Sequence, residues 1–169
     1  MKNSSRSNAI RKKIEMPTKK TLFMETTEVS AERSAAEIVA ELVKAGATSI
    51  NTDYDGGVIT GLRWIMRIPN RGDSLFAMPA RVEPVYKILR SRRKGYIDDR
   101  TEANLKDTAR RVAWRQLLRW VQAQMAMIQC GMTEAGEVFF PYLQSSTGET
   151  IYTLFRDKGL KLLGPSEPS

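Results

Sequence analysis

The chain has 169 residues, 41% of them hydrophobic and 27% charged, with one cysteine and no histidine. This composition suits one soluble domain with a proper core. It excludes an internal disulfide, any site built on histidine and, because no apolar run nears the roughly 20 residues required, a membrane-spanning helix.

The formal net charge of +8 resembles that of a nucleic-acid-binding protein, but its distribution says more than its size. Residues 1–20 hold seven basic side chains against Glu15 alone. Beyond them, residues 21–60 sum to −5, residues 61–120 to +9 (15 basic, 6 acidic) and residues 121–169 to −2. A basic middle third between acidic flanks is able to build a positive face on a nearly neutral body.

Residues 1–20 have few apolar side chains and no period, and read either as a disordered basic arm or as sequence upstream of a start at Met16. No apolar segment of the secretory kind is present there, and the lone Cys130 fits a reducing compartment, so cytoplasm is the expected location. Residues 21–163 read as one α+β domain and 164–169 as a flexible tail. Thr21–Thr27 ("TLFMETT") is β-branched and aromatic, and predicts a strand. Ser30 offers a helix cap, with Ser34 and Glu37 resembling a capping box one turn later. Ile38, Val39, Leu42 and Val43 form an apolar stripe that Gly46 closes.

Two strands are expected around the turn Asp55-Gly56-Gly57-Val58, and a third, "LFAMPARV", after the turn "NRGDS". A helix opening near Pro84 turns Val85, Ile88 and Leu89 inward, and "GYIDDRTEA" reads as a loop. A long helix spans about Asn104 to Cys130. A short helix or turn packing Val138, Phe139 and Leu143 follows, then a final short helix and a possible terminal strand. The order predicts an α+β fold: an antiparallel sheet of about four strands, one helix after the first strand, and a C-terminal helical region built on one long helix.

Three basic constellations stand out. On the long helix, Trp114, Leu118, Val121, Met125 and Ile128 make a core seam, widened by Trp120, so the tryptophans belong to the buried side. Arg111, Arg115 and Arg119 form a separate stripe whose like charges repel. Asp107 before Arg111 is its one acidic neighbour at helical spacing; unless residues 21–60 supply others, an external polyanion is the simplest partner. In "GLRWIMRIP", strand alternation sends Leu62, Trp64, Met66 and Ile68 to the core, and Arg63, Ile65 and Arg67 to the other face. Phe76 and Tyr54 are candidate stacking partners there. Finally, "KILRSRRKG" carries Lys87, Arg90, Arg92, Arg93 and Lys94 off the end of a helix. Each constellation also has an ordinary reading as a solvated surface.

Catalysis finds less support. A carboxylate-only magnesium site would draw on Asp53, Asp55 and Glu83 with Lys87 nearby, but no motif enforces that convergence. Cys130, late in an apolar helix, reads as a packed thiol.

The combination of "TTEVSAERSAAEIVAELVKAGATSI", "GLRW", "MPARVEPVYKIL", "RVAWRQLLRWVQAQMAMIQCGM" and "EVFFPYL" resembles a family of small phage- and prophage-encoded proteins with no established activity. The resemblance covers roughly Met16 to Leu163. It implies a mobile-element setting, where DNA replication, recombination and evasion of host defence are common tasks, and carries over no site residue.

The expectation is therefore a non-enzymatic nucleic-acid-binding protein that favours single-stranded DNA in phage or prophage replication or recombination. Arg63, Arg67, Lys87, Arg90, Arg92, Arg93, Arg111, Arg115 and Arg119 would meet phosphates, and no metal or cofactor is called for. The alternatives are a protein-binding inhibitor or adaptor of a host machine, and a magnesium-dependent nuclease. Self-association through the Met-rich end (Met125, Met127, Met132) is compatible with each.

Overall fold

The computed structural model describes residues 21–159. The expected basic arm, the possible terminal strand and the tail lie outside the described residues. Helix α1 (Ala31–Lys44) starts where Ser30, in extended conformation, accepts a hydrogen bond from the Arg33 amide. Because Ser30 is the cap, Ser34 is already inside the helix and faces the core, fully buried, so the capping box expected there does not form. Its neighbours at helical spacing, Ile38 and Leu42, are also fully buried, whereas Val43 is exposed. Gly46 leaves the helix at φ +94°, a conformation that side chains with a Cβ resist.

The sheet is three-stranded and antiparallel, in the order β1 (Ala47–Asp55), β2 (Val58–Ile68), β3 (Gly72–Pro79). The Gly56-Gly57 turn joins the first pair, both residues at positive φ as a tight hairpin demands. Thr48 on β1 and Thr60 on β2 are skipped in the pairing, so each is a bulge that breaks strict alternation. Ile59 consequently joins Leu62, Trp64 and Met66 on the buried face.

Thr21–Thr27 is not the fourth strand: it folds as consecutive turns with Met24 at φ 62°, and the Glu25 and Thr27 amides bond back to the carbonyls of Leu22 and Met24. Local β propensity is overruled there by the helices beneath, because Leu22 packs among Val85, Leu89 and Leu105. Beyond β3 the edge is partly covered, since the Gln144 amide donates to the Leu75 carbonyl and Leu143 bridges to Phe76.

Four helices follow the sheet: α2 (Val82–Ser91), α3 (Asp99–Gln129), α4 (Ala135–Phe139), running into a 3-10 turn at Phe140–Tyr142, and α5 (Ile151–Lys158). Of the stretch read as a loop before the long helix, residues 95–98 are indeed a loop, while Asp99 onward is the first turn of that helix. Asp98 caps it by accepting from the Thr101 amide, and Asp99 and Glu102 set negative charge at the positive end of the helix dipole. At 31 residues, α3 is about 46 Å long. No helix among the described residues is long and apolar enough to cross a membrane.

Among the described residues the buried side chains fall into two groups, and α3 serves both. The larger joins α1, the inner sheet face and the second half of α3, with Trp64 stacked on Phe76 and edge-on to Phe139 at centroid distances of 5.3 Å in each case. The smaller, Val85, Leu89, Leu105, Ala109, Val112 and Ala113, holds α2 against the first half of α3.

Candidate nucleic-acid interface

The two bulges and the strand pairing define which side chains share the open sheet face. Asp53, Asp55, Arg63, Arg67 and Asp73 lie on it around Ile65, Leu75 and Ala77. Two cations against three carboxylates give this face no positive field. Arg63 is further occupied: its Nε lies 2.8 Å from Asp53 Oδ1 and 3.1 Å from Oδ2, a two-pronged pair across the strands. Arg67, exposed, makes no ion pair among the described residues and stands opposite Asp73. The expected stacking residues are elsewhere. Phe76 faces Trp64 inside the core, and Tyr54, exposed, stands opposite buried Ile59 on the helix-covered side.

The arginine stripe of α3 is mostly internal. Arg115 is only 15% exposed and reaches across to α1, its Nη1 3.2 Å from Glu37 Oε2. Arg111 Nε sits 3.1 Å from Asp107 Oδ2 but off the hydrogen-bonding line, and its Nη2 bonds to Thr108 Oγ1 at 3.3 Å. Arg119 alone projects, held by Gln122 Oε1 at 2.9 Å. Two of the three cations thus find partners in the fold, one of them from the acidic segment near the N-terminus. Alanine at Arg115 is expected to lower stability while nucleic-acid affinity stays that of the parent chain. A double-mutant cycle with Glu37→Gln in urea denaturation should return a coupling of about 1 kcal/mol.

The third constellation remains open to solvent. Lys87 forms a loose, exposed pair with Glu83 at 3.5 Å. Arg92 closes on Glu25 at 2.8 Å, tying the N-terminal turns to the end of α2. The hydrogen-bonded Arg92 guanidinium holds the Glu25 carboxyl below its ordinary range, against the opposing effect of burial. The stability from this pair is present above that range and lost as pH falls through the lowered value. Arg90 uses one donor on the Arg93 carbonyl, at 3.2 Å. Arg93, Lys94 and Arg100 are exposed and form no ion pair among the described residues.

The connection between α2 and α3 makes a small platform of this cluster. Gly95, at φ 81°, reverses the chain. Ile97 then packs beside the smaller core, while Tyr96 is left 92% exposed, two residues after Lys94 and followed by Asp98, Asp99 and Arg100. A solvated phenol with exposed cations near it in the chain offers a stacking surface and phosphate contacts together, although Asp98 and Asp99 lie in the same stretch. Sequence reasoning passed over Tyr96 and Arg100. Their signal was the sole apolar residue of that connection, Ile97, which had to turn inward and so sent its neighbour outward.

No protein family, curated protein or solved structure matches this chain. The interface is therefore to be read from its own side chains.

Asp55 and Glu83 line one cleft, but Asp53 is committed to Arg63, and no group of three such residues among the described ones is arranged to hold a metal ion. Cys130 caps the end of α3 and is exposed, not packed, because the apolar seam of the helix turns away at Ile128. Met125 is buried, and Met127 and Met132 are exposed.

Proposed function

We propose that this chain binds nucleic acid, single strands in preference, and does so without chemical action on it. Phosphates meet Arg90, Arg93, Lys94 and Arg100, and a base stacks on Tyr96. The observation that carries this reading is the connection between α2 and α3. There Arg93, Lys94 and Arg100, exposed and without ion pairs among the described residues, lie within four residues of Tyr96, the most exposed aromatic residue of those described. A duplex groove reader would require an exposed basic helix face, and the arginine stripe of α3 is largely engaged within the fold. The setting implied by the phage-protein resemblance, replication or recombination in a host cytoplasm, suits such an activity.

The test is a fluorescence-anisotropy titration of labelled oligo-dT and of a duplex at several salt concentrations. Single strands should bind more tightly, with log affinity falling by about 0.7 per phosphate contact for each unit of log salt. Equal affinity for duplex, or affinity indifferent to salt, overturns the reading.

A second reading, a module that docks on a host protein, is favoured by the open sheet face. Ile65 and half-exposed Leu75 sit there within a ring of mixed charge, as in the polar rim of a protein interface. Capture of a defined host protein by the chain, in the absence of any oligonucleotide binding, selects it.

A further inference from the structure

Between the start of α2, the second half of α3, the 3-10 turn and α5 lies a cleft of about 590 Å³. That volume is within the range of pockets that bury small ligands. Its walls include Trp120, Tyr142 and Tyr152, with exposed Arg81 beside them and no carboxylate among the described residues of the lining. Trp120 is half-buried, and Phe139 and Tyr142 hold its ring in place by edge-on contacts at 5.8 and 5.7 Å. Arg81 is exposed, and its guanidinium carbon stands 5.4 Å from the centre of the Tyr152 ring. A cation over an aromatic face keeps its in-plane N–H donors free, and Arg81 forms no ion pair among the described residues. Planar walls combined with one available guanidinium suit a flat aromatic group that carries an anion.

We infer that this cleft receives one unstacked nucleobase, with its phosphate on Arg81. The inference rests on the nucleic-acid reading above and names a second point of attachment for the same strand. Arg81 precedes α2 and the basic connection follows it, so the two sites are separated by the length of a ten-residue helix, about 15 Å. A short stretch of extended strand covers that distance. The basic connection then supplies charge, and the cleft supplies the grip on a base that only a single strand is free to offer.

The experiment uses the full chain with an oligonucleotide bearing iodouracil, which on irradiation cross-links to aromatic side chains in contact with it. Adducts are expected on Trp120, Tyr142 or Tyr152. Tyr152→Leu should weaken oligonucleotide binding about tenfold, the loss of one base–aromatic stack, and Tyr152→Phe should not. Arg81→Gln should weaken it as well. Arg81 and Tyr152 are exposed, so these variants leave the core in place, which circular dichroism checks. If the oligonucleotide binds but adducts map only to Tyr96 and the cleft variants bind as the parent does, the cleft assignment is wrong and the nucleic-acid reading survives. If no oligonucleotide binds, that reading is wrong, and adenosine monophosphate decides for the cleft. Binding that Arg81→Gln abolishes keeps the cleft as a mononucleotide site; no binding overturns it.

Discussion

Replacing Arg90, Arg93 and Lys94 together with alanine is expected to flatten the salt dependence of single-strand binding by about 2 units of log–log slope, at 0.7 for each lost phosphate contact. Between low and moderate salt, a fourfold change in concentration, that difference amounts to roughly a twentyfold change in relative affinity. The melting curve should stay close to the parent's. Arg93 and Lys94 are exposed, and half-buried Arg90 contributes to the fold one bond to the Arg93 carbonyl and a Coulombic attraction to Glu102. Anisotropy titrations of the triple variant and its parent, in the same buffers, provide the comparison. An unchanged slope would place the phosphates elsewhere and leave the basic connection as a solvated surface.

The largest expected effect on stability comes from Trp64. Its ring is fully buried, lies against Phe76 and Phe139, and belongs to the central strand of the sheet. Trp64→Ala removes one of the two largest fully buried side chains of that core and should cost about 3–5 kcal/mol, a third or more of the stability of an ordinary domain. Trp64→Phe should cost much less. It keeps an aromatic ring at the stack, and it removes an indole N–H that is buried without a hydrogen-bond partner among the described residues. Urea denaturation followed by circular dichroism separates the two. Equal losses would mean that the indole finds a partner through its N–H.

Where function and local chemistry coincide, the sequence was easy to read. Ser30, Ile38, Leu42 and Gly46 define α1 within seventeen residues, and Gly56-Gly57 marks the hairpin because few other pairs accept two positive φ angles. The alternation around Trp64 correctly sends Arg63 and Arg67 to the open face. Reading failed where the deciding partner is distant along the chain. Arg115 looks unpaired on its own helix because Glu37 lies 78 residues away, and Arg63 looks available because Asp53 is on the neighbouring strand. The turns at Thr21–Thr27 have strand-like composition, and only their packing on α2 and α3 overrules it. Tyr96 was missed for a different reason. Its proposed role rests on its exposure, and a lone tyrosine in a polar stretch has no periodicity to announce it.

The mounting of the basic connection on the smaller of the two buried groups sets the order in which the molecule comes apart. Six buried residues tie α2 to α3, whereas the sheet, α1 and the rest of α3 share a much larger interior. Local opening follows the weaker of such units. The α2 arm is therefore expected to loosen before that larger interior does, while Trp64 and its neighbours remain locked. A partner that held the tip of that arm would pull on the less firmly packed part of the molecule, and would displace it at a fraction of the cost of unfolding the whole.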